Sequence, residues 1–369
     1  MIRIGIMIEG QEGLTWARWR RIAEAVDTLG FESLWRSDHL FSLFDVPDRP
    51  GLDTWASLAA LATMTRRIRF GPLVCPITFH HPSLLARQAA AVDELSGGRL
   101  ELGVGAGWHD REHQAFGIPY PPVGERIRRL DEAVRVIRAL WQDGPAQFAG
   151  RYYRLDGAVG WPKPVQRPRI PMVIGGKGPR VLEVVAKHAD EWNCGGSLPP
   201  ADVRAKTEIL VAACGKIGRD PKTIRRSWMG AFLIGENGAA LERRARKIQE
   251  VLPRWRSTPA AGVPAALRKE GWLVGSPEEI VGQIRDLTAE GMERYMLQLF
   301  DQEDLDALHL LARRWSCGSP KPGRMRPDHR LMAPRRPSSV TRRPVSLTGG
   351  GRASKLTEDW GGTQAAKGG

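Results

Sequence analysis

Arg3-Ile4-Gly5-Ile6-Met7-Ile8, followed by Glu9-Gly10-Gln11-Glu12-Gly13, is the stretch on which the fold turns. The first six residues have the apolar alternation of a β-strand that leads straight into a domain, which is not the pattern of a signal peptide. A doubly wound, nucleotide-binding sheet would place a Gly-x-Gly-x-x-Gly turn directly after such a strand. Glu9 to Gly13 does not fit that turn. The open-sheet reading therefore loses to a closed barrel, provided the rest of the chain supplies enough strands.

It does. Strand-like runs follow at Ser33–Arg36, Arg69–Cys75, Leu100–Val104, Pro171–Ile174, Glu191–Cys194, Arg226–Ile234 and Tyr295–Phe300. Between them lie helical runs at Thr15–Leu29, Thr54–Thr65, Ser83–Leu95, Gly124–Trp141, Val181–His188, Asp202–Ile217 and Pro277–Glu290, with Leu305–Trp315 last. Phe148–Leu155 reads as a small β excursion, and Ala239–Leu273 as an insertion rich in Arg and Pro. Eight strands alternating with helices over roughly 310 residues predict an α/β chain folded as a (β/α)8 TIM barrel with insertions.

Charge and composition narrow the function classes. The 369 residues carry a net charge of +14, of which +8 belongs to residues 317–369 and only +6 to residues 1–316. The body is mildly basic, which suits a polyanionic cofactor as well as a nucleic acid. A nucleic-acid-binding protein working through the basic tail is the rival from another class, supported by charge alone. An inactive barrel is a third reading. Cys75, Cys194, Cys214 and Cys317 are scattered, with no Cys-x-x-Cys pair, so free thiols and a reducing, cytoplasmic location are expected. No apolar run reaches the length of a membrane span. The expected partners are a small-molecule substrate and a second copy of the chain, as a homodimer, with no membrane and no nucleic acid. The expected domains are a barrel over 1–316 and a Pro-, Arg- and Gly-rich tail over 317–369 that cannot offset its ordering entropy. The tail reads either as an out-of-frame, non-homologous extension or as an ordinary disordered basic tail.

In a barrel the active site lies at the C-terminal ends of the strands, and four segments fall there. Ser37-Asp38-His39 ends the second strand, where a histidine can move a proton near neutral pH, or is simply a loop residue beside an Asp cap. Gly71-Pro72-Leu73-Val74-Cys75-Pro76 has Gly and Pro at both ends, consistent with a bent backbone beneath a planar ring or with a plain strand boundary. Gly103-Val104-Gly105-Ala106-Gly107-Trp108 lets backbone approach a ligand. The residues after it, His109 to His113, match a His-x-x-Glu-His zinc pattern only weakly, and no metal is expected. Gly175-Gly176-Lys177-Gly178-Pro179-Arg180 opens a helix with backbone N–H groups and two cations, which favours phosphate over a bare tight turn.

These segments, together with Ser96 to Trp108, Pro162-Lys163-Pro164-Val165-Gln166-Arg167-Pro168 and Ala189-Asp190-Glu191-Trp192-Asn193, resemble the luciferase-like monooxygenase superfamily, most of all its coenzyme F420-dependent branch. The resemblance spans about residues 1–312. It implies a deazaflavin ring in the barrel mouth, contacted by Asp38 and His39. It also implies a bulge with a non-proline cis peptide near Pro72, Leu73, Val74 and Cys75 behind the ring. Cofactor phosphate is implied at Gly175, Gly176 and Gly178, with Gly105 and Gly107 beside the cofactor. Members that oxidise sugar phosphates place a glutamate where this chain has Trp108, so a larger or less polar substrate is implied, with His39 as the catalytic group. Hydride transfer with F420 is the expected chemistry, and an FMN-dependent monooxygenase is the in-class alternative.

Overall fold

The computed structural model describes residues 2–46 and 48–315. The chain runs β1 (Arg3–Ile8), α1 (Trp16–Thr28), β2 (Ser33–Arg36), α2 (Thr54–Met64), β3 (Arg69–Pro72), β4 (Cys75–Pro76), α3 (Pro82–Leu95) and β5 (Leu102–Gly105). It continues through α4 (Asp110–Ala115), α5 (Val123–Trp141), β6 (Ala146–Ala149), β7 (Arg154–Ala158), β8 (Met172–Gly175), α6 (Pro179–His188), β9 (Glu191–Gly195) and α7 (Pro200–Lys216). The last elements are β10 (Arg225–Ile234), α8 (Gly238–Val251), α9 (Val263–Lys269), β11 (Leu273–Gly275), α10 (Pro277–Ala289), β12 (Arg294–Gln298) and α11 (Leu305–Trp315).

The main sheet is parallel, in the order β3-β2-β1-β12-β10-β9-β8-β5-β4. Its two ends meet, because Phe70 of β3 bridges Leu100 in parallel and Glu101 N–H donates to Phe70 O at 2.9 Å. The expected barrel is thus the observed one. β1 shows why the pattern closes. Ile4, Ile6 and Ile8 join the apolar layer beneath the helices, whereas Met7 faces the lumen with Trp35, Leu73, Val173 and Met296. A parallel strand covered on both sides has no polar face to show.

Three expectations change in detail. The third strand is not continuous over Arg69–Cys75: it stops at Pro72 and resumes at Cys75, with a cis Leu73–Val74 peptide between. Pro72 has no N–H to donate, and Gly71 packs so close to β5 that a Cβ there would sit 1.9 Å from Glu101 O. The excursion at Phe148–Leu155 is an antiparallel hairpin of β6 and β7. The Arg- and Pro-rich insertion folds as α8 and α9 over a core of its own, including Ile248, Leu252, Val263, Leu267 and Trp272, and returns as β11 beside β10. The tail, 317–369, lies outside the described residues.

The floor of the barrel is ionic. Arg294, fully buried at the start of β12, donates to Glu101 Oε2 at 2.6 Å, Glu191 Oε2 at 2.9 Å and Glu32 Oε1 at 2.7 Å. All these residues sit at or near strand N-termini, the end of a barrel that carries stability rather than chemistry. Among the described residues no helix is long and apolar enough to cross a membrane. Cys75, Cys194 and Cys214 are free and buried.

Candidate active site

Every candidate segment opens at the other end. β2 leads into Ser37, which is locked to the end of β1: Gly10 N–H donates to Ser37 Oγ at 2.9 Å, and Ser37 Oγ donates to Gln11 Oε1 at 2.6 Å. This latch fixes where the next two side chains go. They separate.

Asp38 is buried and pairs with His80, whose Nε2 lies 2.7 Å from Oδ2. Burial alone would raise its pKa. Hydrogen bonds from His80, Cys75 and Thr54, with the His80 charge, outweigh burial and hold the carboxyl below its ordinary value. The Cys75 thiol goes the other way, pushed well up by burial and by Asp38 beside it. Asp38, Cys75 and His80 bring one ligand atom each within 4.8 Å, the only such trio with metal-ligand spacing among the described residues. A thiol held protonated is a poor ligand, so the trio is better described as a hydrogen-bonded brace.

His39 has a different partner. Its Nδ1 lies 2.7 Å from Oε2 of Glu112, whose other oxygen accepts the Leu40 N–H at 2.5 Å. Glu112 is fully buried in α4. Burial draws the imidazole pKa down, but the Glu112 hydrogen bond and charge, with Glu9 and Asp38 further off, raise it above 6.5. Glu112 was visible in the sequence only as the glutamate of the weak zinc pattern, the fourth of its five residues. That pattern does not assemble a site: His113 is spent on Thr78 Oγ1 at 2.8 Å and His109 O at 2.7 Å. With Nδ1 committed to a carboxylate, Nε2 is the nitrogen left to exchange a proton.

Around His39 stands an aromatic rim. Trp108 meets it edge-on at 5.8 Å and His109 at 6.4 Å, while Phe41 stacks on Phe116 at 6.4 Å. Trp108 is 65% exposed and Phe116 55%, far more than ordinary packing residues, so this apolar edge is open to an incoming molecule.

The glycines divide by cause. Gly105 and Gly175 are small because Val74 packs on them: a Cβ would lie 2.6 Å from Val74 Cγ2 at Gly105 and 3.1 Å from Val74 Cγ1 at Gly175. The cis segment Leu73–Val74 is thereby wedged between β5 and β8. Gly107 has φ +78°, and a Cβ there would meet Thr78 Oγ1. Gly176 has φ +146° and lies against Val181, and its N–H already donates to Asn193 O at 3.3 Å. Gly178 alone in this set meets nothing within 4 Å; it caps α6 with ordinary extended backbone. Its open cradle at a helix start, beside exposed Lys177, is the part of the loop free to receive an anion.

Gly178 therefore gives the cleaner substitution. Gly178→Asp should keep or slightly improve helix capping, since Asp is a favoured N-cap. It should also place a carboxylate against incoming phosphate and weaken cofactor binding by tenfold or more, on the order of one charge-assisted contact. A cofactor dissociation constant equal to that of the unaltered protein would remove the loop from the site.

A closed parallel barrel with His39 on buried Glu112 at its mouth and a glycine-rich loop after β8 defines a class of α/β-barrel proteins. The chain belongs to the luciferase-like monooxygenase family, whose model matches residues 1–294. An uncharacterized protein of Mycobacterium tuberculosis is 38% identical over 142 residues, covering 38% of this chain and 49% of its own length. The F420-dependent hydroxymycolic acid dehydrogenase of Mycobacterium tuberculosis is 30% identical over 221 residues, 59% of each chain. The chain thus spans about half the length of the curated relatives it matches. Among solved structures, an F420-dependent secondary alcohol dehydrogenase in complex with an F420-acetone adduct superposes with a TM-score of 0.71 at 21% identity, covering 85% of this chain and 97% of the other. That likeness is one of fold.

Proposed function

We propose that this chain is an F420-dependent oxidoreductase that moves a hydride between the deazaflavin and the carbinol or carbonyl carbon of an apolar organic substrate. The observation that carries the reading is His39 on buried Glu112 at the barrel mouth. The name of the 30% identical dehydrogenase supports the cofactor and the reaction type. The residues fit the group. The wedge of Leu73 and Val74 gives a ring an apolar back wall, and Gly178 offers backbone without a side chain where a phosphate would lie. When bound, the deazaflavin would supply a carbon that accepts or donates hydride without activating oxygen.

The protein's own groups handle the proton. In alcohol oxidation, His39 Nε2 takes the hydroxyl proton and Glu112 stabilises the imidazolium; in ketone reduction the same imidazolium returns it. The exposed Trp108 edge puts an apolar surface beside His39, which favours apolar substrates that would cover it. Asp38 acts through its brace to Cys75 and His80, which fixes the strand end behind the ring.

Titrating purified protein with F420 and FMN side by side tests the reading. Saturable quenching of F420 fluorescence with weak FMN binding is expected; tight FMN binding and none of F420 would convert the assignment to an FMN monooxygenase. The reading includes a cytoplasmic homodimer, checked by the mass of the purified protein in solution. It also takes residues 1–316 as the working unit, so deletion of 317–369 should leave thermal stability and F420 affinity unchanged. A drop in either would show that the tail docks on the barrel.

A further inference from the structure

The carboxylate that holds His39 has a second imidazole beside it. His109 follows the loop after β5 and stands at the N-cap position of α4, yet its side chain makes no capping hydrogen bond. Its Nδ1 lies 3.4 Å from Glu112 Oε2, the oxygen that already meets His39 Nδ1 at 2.7 Å. Glu112 Oε1 is taken by the Leu40 N–H, so Oε2 alone serves both rings. His109 Nδ1 is buried and forms no hydrogen bond, a costly state for a polar atom. The ring is well held. The His109 carbonyl accepts from His113 Nδ1 at 2.7 Å, and Trp108 and Phe41 flank the imidazole edge-on at 5.0 Å and 6.0 Å. Solvent still reaches 14% of the His109 side chain. Because Nδ1 is buried, Nε2 is the nitrogen able to meet water.

We propose that His39, Glu112 and His109 form a proton relay between the substrate at the barrel mouth and solvent at the rim. The relay presupposes the reading of His39 as the group that takes or returns the substrate's proton. In alcohol oxidation His39 Nε2 gains the hydroxyl proton and the ring becomes an imidazolium. His39 Nδ1 then gives its own proton to Glu112 Oε2, and Oε2 passes it to the vacant Nδ1 of His109 after a small turn of that ring. His109 Nε2 releases its proton to water. One N–H bond has formed and one has broken on each ring, the carboxylate ends as it began, and the relay moves no electrons. Both rings are left in the opposite tautomer. Once product leaves, a proton entering at His109 Nε2 and one leaving at His39 Nε2 restores them. Ketone reduction runs the same path inward.

Such a path has a use, because a substrate lying on the Trp108 edge covers His39 and blocks exchange with water there. The charges around the two rings favour outward release. Burial, with the charges of His39 and Arg111, lowers the His109 pKa below 6.5 against the carboxylates of Glu112 and Asp110, whereas His39 lies above 6.5. A proton that reaches His109 is held less tightly than on His39 and passes readily to water.

Two readouts on the full chain test the relay. In the ligand-free protein, histidine ring C–H resonances followed by NMR should show His109 titrating below 6.5. In His39→Ala the His109 pKa should rise, since a competing charge is gone and Glu112 is left to His109 alone. An unchanged His109 titration in that variant would show that the rings do not share the carboxylate, which overturns the relay. The second readout is oxidation of a panel of secondary alcohols with F420 in dilute buffer. His109→Gln should lower kcat by about tenfold, less than loss of the acid or base itself, and leave KM unchanged. Free imidazole added to the buffer should restore most of that loss, as a mobile carrier in place of the fixed one. A loss that imidazole does not repair would mark His109 as a packing residue, and an unaltered kcat would remove it from the path. Either result overturns the relay and leaves the hydride-transfer reading standing. No oxidation of any alcohol by the unaltered protein would overturn both.

Discussion

His39→Ala should lose roughly 10²–10⁴-fold in turnover under cofactor saturation, the usual contribution of a positioned acid or base. The fold should survive, because His39 lies at the mouth and not in the apolar layers. Unaltered turnover would remove His39 from the chemistry. The pH dependence carries more information. Because Glu112 holds the His39 pKa above 6.5 despite burial, the limb of the pH–rate profile should fall above 6.5. Glu112→Gln keeps an acceptor for the Leu40 N–H but removes the charge, leaving burial to act alone. The limb should then move to lower pH. The same pair contributes to stability fully below pH 6.5, and that contribution is lost as pH rises through the raised pKa. A limb that does not move in Glu112→Gln would mean that the carboxylate only packs the loop.

Arg294→Ala should destabilise the barrel by about 3–5 kcal/mol, the cost of removing the buried cation that Glu101 and Glu191 share and leaving each only its partly exposed arginine, Arg69 or Arg225. Urea unfolding measures it, and a change under 1 kcal/mol would show that the network is dispensable. Acid sensitivity gives a second readout. Against a burial cost, Arg294 with help from Arg69 and Arg225 holds Glu101 down to about 2, from an ordinary 4.5. That share of stability is present above pH 4.5 and is lost as pH falls towards 2. Arg294→Ala should abolish most of this loss. Replacing Arg294, Glu101 and Glu191 together by apolar residues of similar volume should recover much of the stability, since such ion networks often break even against hydrophobic packing.

The two predictions lie at opposite ends of the barrel, and they differ in how much of each the sequence shows. The mouth segments are legible because they are local. Ser37-Asp38-His39 and Gly175 to Pro179 follow recognisable strands, and barrel topology puts strand ends at the site. The ionic floor is not: Glu32, Glu101, Glu191 and Arg294 are separated by up to 262 residues and follow no spacing rule. The glycines illustrate an intermediate case. Their presence suggests close approach, but only the tertiary structure separates Gly105 and Gly175, cleared for Val74, from Gly178, which faces open space.

By itself the sequence determined the order of strands and helices and the closed-barrel architecture, because apolar alternation and helical spacing record which face of each element is covered. It also determined which loops stand at the mouth. Only the tertiary structure decided which side chains in those loops meet. Asp38 turns to His80, 42 residues on, and His39 to Glu112, 73 residues on. The Arg128 and Arg180 tips converge over Gly124 from two helices. Periodicity is a property of one element against its surroundings, whereas these pairings are set by how barrel closure brings separate loops and helices together.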